Sequence, residues 1–338
     1  MSNRDPRPET IAAHALKAID EATGAVVPPL YLSSTYARDE TYTPKLRENY
    51  VRAGSPTLWQ TEDTINALEG GAGALLFASG MAAITTLLET VPQGRHVAAP
   101  DVMYYGTRDW LQRLEGLGRI TLTLFDPRDE SALAAALRPG KTDLVWIETP
   151  LNPTWDVIDI AAAAKAAHAA GARLAVDATA TAAVTTRPLS LGADYVFHSA
   201  TKYLNGHSDV LAGVLVTAKA DERWTQVATL RTKIGAEIAD LNAREFVANR
   251  RLIRSMTRGD LLSMAGASAS SRFFPPPTVL IPASFNRFWD SSNAFDPQAA
   301  WPQSNAWFVA SVISSMPASV SASMTSGGEV RFGYSWTT

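Results

Sequence analysis

Seven short apolar runs recur between residues 58 and 218, and each of them predicts a β-strand. They are apolar throughout instead of alternating with polar positions, which is typical of strands buried on both faces. The runs are GALLFAS (73–79), HVAAP (96–100), RITLTLFD (119–126), DLVWIETP (143–150), RLAVDAT (173–179), DYVFHSAT (194–201) and GVLVTA (213–218).

Helical patterns lie between several of these runs, among them TEDTINALE, MAAITTLLET and DIAAAAKAAHAA. Gly70, Gly71 and Gly171 stand where the C-terminal caps of such helices belong. Strands that alternate with helices predict an α/β domain, with a mostly parallel seven-stranded sheet covered by helices on both faces. Ligands of such sheets bind beyond the carboxyl ends of the strands.

The pattern divides the chain into three segments. Residues 1–57 are irregular and predict an N-terminal arm, residues 58–240 form the sheet domain, and residues 241–338 are an atypical C-terminal region. Residues 255–338 contain 17 serines and four acidic residues, and no lysine follows Lys233. This region predicts either an irregular domain or a tail that does not form the domain its position requires.

Composition excludes several classes of protein. The 338 residues are 46% hydrophobic and carry a net charge of −3, which provides a core and argues against a nucleic-acid binder. The chain has no cysteine, so disulfides, thiolate metal sites and a cysteine nucleophile are excluded. The five histidines lack i, i+4 spacing, so no metal site is predicted. The chain starts with polar residues and lacks the apolar run of a signal peptide. No stretch reaches about 18 continuous apolar residues, so no membrane span is predicted. We therefore expect a cytoplasmic protein.

Three segments carry candidate chemistry. Lys202 follows a strand predicted to be buried, where a neutral amine suited to Schiff-base chemistry would be favoured, although a lysine reaching water is an equally ordinary interpretation. Ser199 and Thr201 beside it are hydroxyl donors suited to a phosphate. The FASGMAAITTLL segment predicts a strand, a tight turn and a helix whose first amides, those of Gly80 and Met81, form an anion site.

Asp177 ends the apolar RLAVD run, and a carboxylate at such a position requires a cationic partner. A protonated pyridine nitrogen would be such a partner, whereas capping of the next helix is the structural alternative. A phosphate site, a lysine and a strand-end carboxylate together predict pyridoxal phosphate (PLP) as the cofactor.

The residues around the lysine, from Asp194 and then from Ser199 to Ser208 (SATKYLNGHS), resemble the signature of the PLP-dependent Cys/Met-metabolism, or transsulfuration, enzymes. The resemblance covers residues 10–235 and implies the fold-type I large domain of PLP-dependent transferases. It also implies an enzyme that makes or breaks C–S bonds, similar to cystathionine γ-synthase or γ-lyase. Cystathionine β-lyase, methionine γ-lyase and O-acetylhomoserine sulfhydrylase are alternatives within the family.

The resemblance also assigns roles to matching residues. Lys202 would bind the cofactor covalently and move protons between substrate carbons, and Asp177 would pair with the pyridine nitrogen. Tyr104 would stack on the ring, with Asn152 beside ring and substrate. The phosphate would be held by four residues of the same chain: Gly80, Met81, Ser199 and Thr201. Tyr50 and Arg52, in NYVRAGSPT, would reach the phosphate of a neighbouring subunit in a homotetramer built as a dimer of dimers.

The resemblance fails after about residue 240. The family arginine that binds the substrate carboxylate has no match, and its position would lie beyond residue 338. One hypothesis is a disrupted reading frame near residue 240 that partly returns near RFGYSWTT (331–338). Two functional alternatives follow: an inactive remnant of the family, and a Ser–Lys hydrolase, because Ser199 and Lys202 fit S-x-x-K.

Overall fold

The computed structural model describes residues 7–14, 16, 19–206, 209–238, 320–324 and 330–334. The chain divides into two compact units, Met1–Ala265 and Gly266–Thr338. In the first unit the strands are β1 (Gly73–Phe77), β2 (His96–Pro100), β3 (Thr121–Phe125), β4 (Thr142–Glu148), β5 (Arg173–Asp177), β6 (Tyr195–His198) and β7 (Gly213–Thr217). The helices are α1 (Pro8–His14), α2 (Pro56–Glu69), α3 (Gly80–Glu89), α4 (Tyr105–Gly116), α5 (Ala132–Ala136), α6 (Ile160–Ala169), α7 (Ala182–Thr185) and α8 (Glu222–Ile234).

All seven predicted strands form a single sheet in the order β1-β7-β6-β5-β4-β2-β3. Strand β7 runs antiparallel to both of its neighbours, β1 and β6, and the other pairings are parallel. The prediction of a mostly parallel seven-stranded sheet is therefore confirmed.

Both faces of the sheet are buried, because alternate residues of each strand enter two separate apolar clusters. On β4, Val145 and Ile147 pack with residues of α2 and α6 on one face. On the same strand, Leu144 and Trp146 pack with residues of α3, α4 and α8 on the other face. This two-sided burial explains why the strands are apolar throughout.

The segment predicted to be irregular contains one helix. In α1, Ile11 and Ala12 are buried against Leu68 of α2 and Ala183 of α7. The prediction that residues 1–57 are irregular throughout is wrong at this point, because a short amphipathic helix gains its stability from packing and not from its own sequence. The rest of this segment is held by isolated bridges, such as the one between Thr35 and Tyr50.

In the second unit the structure describes one antiparallel pair, β8 (Val320–Met324) and β9 (Val330–Tyr334). Val320 is opposite Tyr334, and Ser323 is opposite Arg331. The other residues on which the frame-disruption hypothesis depends, between 240 and 338, lie outside the described residues, as do His207 and Ser208 of the lysine signature.

Candidate active site

Two buried carboxyl groups end neighbouring parallel strands. The register of β4 and β5 places Glu148 opposite Asp177, and these residues are 7% and 4% exposed. Burial raises the pKa of Asp177 to about 6. Burial, reinforced by the charge of Asp177, raises the pKa of Glu148 to about 8. Neighbouring carboxyls with raised pKa values at the carboxyl edge of a sheet are typical of a functional site.

Asp177 is held in a tight turn. The amide of Thr179 donates to its Oδ1 at 3.0 Å, and the Oγ1 of Thr179 accepts from the amide of Ser199 at 2.8 Å. The next helix, α7, begins only at Ala182. Asp177 therefore does not cap that helix, and the turn ties the end of β5 to the residue that follows β6.

The N-terminus of α3 lies beside the same strands. Ser79 caps the helix by accepting from the amide of Ala82 at 3.1 Å, as the strand–turn–helix prediction requires. The amides of Gly80 and Met81 are the first of the helix and have no acceptor within it. A Cβ on Gly80 would lie 3.2 Å from Phe197 Cζ and 3.3 Å from Ser199 Oγ. The lack of a side chain at position 80 therefore lets the start of α3 approach these two residues.

Lys202 lies in the turn after β6, with its amide donating to the carbonyl of Ser199 at 3.0 Å. Its side chain is exposed. Of the two interpretations that the sequence leaves open, this exposure fits the lysine that reaches water in the single chain, and β6 ends at His198, four residues earlier. Ser199 follows a strand and does not lie on a helix, which weighs against the hydrolase alternative.

Thr201 is engaged with the main chain of the segment that leads into β7. Its hydroxyl donates to the carbonyl of Ala212 at 3.1 Å and accepts from the amide of Ala212 at 3.0 Å. These two bonds fix the turn that carries Lys202. The Thr201 hydroxyl could donate to a phosphate only if it gave up its hydrogen bond to the carbonyl of Ala212.

Glu148 organises two of the predicted site residues, although the sequence analysis did not single it out. Its Oε2 accepts from the amide of Tyr104 at 2.6 Å, and its Oε1 accepts from the amide of Asn152 at 3.2 Å. The signal that could have identified Glu148 is the one that identified Asp177, namely a charged residue at the end of an apolar run. Asn152 itself is exposed beside these groups.

Tyr104 lies half-buried immediately before α4, and burial raises the pKa of its phenol to about 12. Its ring centroid is 4.8 Å from that of Tyr105, which is 58% exposed. A Cβ on Gly106 would lie 2.7 Å from the Tyr104 ring and 2.9 Å from the sulfur of Met81. The ring therefore lies next to the α3 N-terminus, on the same side as the strand-end carboxylates.

Tyr50 and Arg52 lie on the N-terminal segment and not at the strand ends. Both are exposed, and the Arg52 guanidinium lies 5.2 Å from the Tyr50 ring centroid. Arg52 Nη1 also donates to the carbonyl of Thr232 at 3.4 Å, which connects the segment to α8. The structure thus brings eight of the ten predicted residues to the carboxyl ends of the strands and the adjoining loops. It places Tyr50 and Arg52 elsewhere on the surface.

The residues of the site fit pyridoxal phosphate. Gly80 brings the start of α3 close to the Ser199 hydroxyl, and helix-start amides beside a hydroxyl suit a phosphate. The buried Asp177 carboxyl suits a protonated ring nitrogen. Among the described residues, no cluster of three or more His, Cys, Asp or Glu side chains could hold a metal ion. In the same part of the chain, every helix is too short or too polar to cross a bilayer.

This sheet order, with a carboxylate, a lysine turn and a helix N-terminus at one edge, defines an α/β protein of the fold-type I class of PLP-dependent enzymes. Residues 9–248 match the family described as Cys/Met metabolism PLP-dependent enzyme. The chain belongs to this family.

Named relatives agree with the assignment. Cystathionine gamma-lyase of Dictyostelium discoideum is 40% identical over 227 residues, which are 67% of this chain and 58% of that protein. A probable cystathionine gamma-synthase of Herpetosiphon aurantiacus is 38% identical over 231 residues, 67% of this chain and 70% of that protein.

A solved structure agrees as well. The cystathionine gamma synthase of Xanthomonas oryzae pv. oryzae, in complex with aminoacrylate and cysteine, has a TM-score of 0.70 at 34% identity. The match covers 74% of this chain and 65% of that one. The chain therefore spans less than two thirds of the length of the Dictyostelium protein and of the Xanthomonas structure.

Proposed function

We propose that this chain is a PLP-dependent enzyme that makes or breaks C–S bonds of cystathionine or homoserine-derived amino acids, in the manner of a cystathionine γ-synthase or γ-lyase. The observation that carries the proposal is the buried Asp177 at the end of β5, linked through Thr179 to Ser199 beside the α3 N-terminus. The family and the names of its members support it.

Each residue would have a defined task. Lys202 would hold the cofactor and then, as a free amine, take a proton from the substrate Cα. Asp177 would accept the hydrogen bond of the ring nitrogen, and Tyr104 would lie against the ring. When bound, PLP supplies the electron sink that stabilises negative charge at Cα.

The phosphate would be bound by the amides of Gly80 and Met81 and by the hydroxyl of Ser199, with Thr201 fixing the adjacent turn. Glu148 would hold Tyr104 and Asn152 in place through their main-chain amides. Water would be kept from the inner end of the site by the apolar layers on both faces of β4 and β5.

Oligomerisation is part of the proposal. Tyr50 and Arg52 are exposed in the single chain and would complete the phosphate site of a neighbouring subunit. The guanidinium is suited to this role because it remains charged and bonds phosphate oxygens in pairs. A homotetramer in the cytoplasm is the expected form.

The first test is the visible absorbance of the purified chain with PLP, before and after borohydride. Lys202→Ala is compared with Lys165→Ala, an exposed lysine of α6 that serves as the matched control. A band that borohydride traps in the wild type and in Lys165→Ala, but not in Lys202→Ala, would support the assignment. A band that survives in Lys202→Ala would overturn it.

The second test is turnover of cystathionine. Cleavage at Cγ releases 2-oxobutyrate, and cleavage at Cβ releases pyruvate. The identity of the oxo acid therefore separates the γ-lyase interpretation from the β-lyase alternative. Binding of PLP without turnover of cystathionine or methionine, and without product from a homoserine ester with either cysteine or sulfide, would identify the inactive remnant.

A further inference from the structure

One glycine of the candidate site has neighbours that leave no room for a side chain. Gly106 is the second residue of α4, which begins at Tyr105. A Cβ at this position would lie 2.7 Å from Cε1 and 3.2 Å from Cζ of the Tyr104 ring, and 2.9 Å from Sδ of Met81. Non-bonded carbon atoms in packed proteins lie about 3.5 to 4.0 Å apart. Any residue other than glycine would therefore displace the ring, the sulfur or both.

The backbone itself does not require this glycine. The φ angle of Gly106 lies outside the left-handed region, and helical backbone favours alanine over glycine. Gly116, at the other end of the same helix, has no atom within 4 Å of its Cβ position. The crowding is therefore specific to the end of α4 that lies at the candidate site, and the side chains of Tyr104 and Met81 cause it.

The main chain of Tyr104 is fixed on both sides. Its amide donates to Oε2 of the buried Glu148 at 2.6 Å. Its carbonyl accepts from the amides of Thr107 at 3.1 Å and Arg108 at 3.2 Å. The ring can therefore move only by rotation about its side-chain bonds. A methyl group on the glycine would force such a rotation, because it would lie between the ring and the sulfur of Met81.

The ring and the sulfur meet at the start of α3. Cε1 of Tyr104 and Sδ of Met81 both lie within 2.9 Å of one point, so the two side chains are neighbours, and a thioether beside an aromatic ring is a favourable contact. Met81 is the second residue of α3 and packs against the apolar cluster on that face of the sheet. The contact therefore links the aromatic ring to the helix whose first amides form the candidate phosphate site.

We propose that Gly106 is a positioning residue that holds the Tyr104 ring against Met81, so that the aromatic surface and the start of α3 form one unit before any ligand binds. The further consequence, that this unit is the preformed place of the cofactor ring and phosphate, rests on the proposed function. Gly106 would act through Tyr104 and not by its own contact with the cofactor.

The first test is NMR of the methionine methyl groups in the cofactor-free protein, with the Met81 signal assigned by Met81→Leu. In the wild type this signal should show a cross-peak to the Tyr104 ring and a ring-current shift that Tyr104→Ala removes. Gly106→Ala should lose both. The matched control, Gly116→Ala, adds the same methyl group to the same helix and should keep both. A wild-type Met81 signal without contact to the ring would overturn the proposal even if no variant folds, and so would a contact that survives in Gly106→Ala.

Stability provides the second test. Gly106→Ala should lower the denaturant midpoint of the cofactor-free protein, whereas Gly116→Ala should leave it unchanged or raise it. The loss should shrink when Gly106→Ala is combined with Tyr104→Ala, because the ring that causes the crowding is then absent. An equal loss with and without the ring would show that the glycine serves the helix alone, which would overturn the proposal.

The third test measures binding of PLP, pyridoxal and inorganic phosphate, and needs no turnover. If the proposed function is right as well, Gly106→Ala weakens binding of PLP and of pyridoxal by about three- to tenfold, as expected for the loss of one aromatic contact. Its affinity for inorganic phosphate should equal that of the wild type. Equal weakening of all three ligands would show a general distortion of the site and would overturn the positioning role.

The three tests separate this inference from the function on which it partly rests. A wild-type protein that binds no PLP would overturn the proposed function, and the NMR and stability measurements would still decide the role of Gly106. Equal PLP affinity in the wild type and in a Gly106→Ala variant with a displaced ring would overturn the link between the glycine and the cofactor.

Discussion

Besides Glu69, which contacts His198, the buried carboxyl groups of the described sheet domain lie in two regions, and their partners differ. Where α2, β1 and α8 meet, Glu62 accepts from Arg231 at 2.5 Å and from the amide of Leu76 at 2.9 Å. At the carboxyl edge of the sheet, Asp177 and Glu148 lie on neighbouring strands and accept from main-chain amides. Burial raises the pKa in both regions, but only at Glu62 does an arginine ion pair oppose it.

The difference in partners separates a carboxyl with a structural role, that of Glu62, from the carboxyls of Asp177 and Glu148, which are suited to a ligand. The ion pair of Glu62 and Arg231 joins an early helix to the last helix of the sheet domain and is complete within the chain. Two neighbouring carboxyls without such a pair reduce the stability of the fold, and this arrangement is kept where a ligand provides the missing charge. The contrast can be tested by removing partners from each region in turn.

The largest effect is expected for Arg231→Met. The methionine keeps the apolar stem but leaves the carboxyl of Glu62 buried without its cation, and it removes the bond to the carbonyl of Leu76 at 3.0 Å. Breaking a buried pair on one side typically costs about 3 to 5 kcal/mol of unfolding free energy. Denaturant unfolding of the cofactor-free protein measures this loss.

The double variant Arg231→Met/Glu62→Gln is the control for that experiment. Because it removes both charges, it should recover part of the lost stability. A loss below about 1 kcal/mol in Arg231→Met would contradict the assignment of this pair as a structural ion pair.

The strand-end region predicts an effect of intermediate size that depends on pH. Both carboxyls bind protons more tightly in the folded state, since their pKa values rise from 3.8 to about 6 for Asp177 and from 4.5 to about 8 for Glu148. Their contribution to stability is therefore complete below a pH of about 4 and is lost as the pH rises through the two folded-state values. Thermal unfolding of the cofactor-free protein across this range should show stability falling towards pH 8.

Glu148→Gln removes the higher of the two titrations and should flatten this fall by roughly 3 kcal/mol between pH values of about 5 and 8. The slope is the relevant quantity, because the substitution also weakens the bonds from Tyr104 and Asn152. Asp109→Asn, which changes an exposed carboxyl of α4, is the control and should leave the slope unchanged. An equal slope in the wild type and Glu148→Gln would show that Glu148 is ionised in the folded protein at neutral pH.

The contrast also shows what sequence reasoning can reach. The seven strands could be predicted because continuous apolar runs are a local signal, and Asp177 stood out at the end of one such run. Glu148 ends another run, but its meaning depends on β4 lying next to β5. The order of the strands depends on the whole fold and cannot be inferred from the sequence of either segment alone.

Other features were missed for related reasons. The partner of His198 is Glu69, which lies 129 positions earlier in the chain, so no motif contains both. The sequence could not decide whether Lys202 is buried or reaches water, because the predicted run extends to residue 201, whereas β6 ends at His198. Helix α1 is stabilised by the packing of Ile11 and Ala12 against α2 and α7, which its own composition does not reveal.

The smallest effect is expected for an ion pair that neighbours the buried one. Arg47 Nη2 lies 3.3 Å from Oδ2 of Asp63, the residue after Glu62, and the two side chains are 63% and 48% exposed. Water screens such a pair, and the two side chains lose conformational freedom in forming it, so Arg47→Met should change the unfolding free energy by about 0.5 kcal/mol or less. Denaturant unfolding in low and high salt would measure this change in free energy, and high salt should abolish it.

Arg47→Met and Arg231→Met delete the same group opposite adjacent carboxylates of one helix. If their effects were equal, burial could not be the property that distinguishes the two pairs, and the large contribution expected of the pair of Glu62 and Arg231 would lose its physical basis.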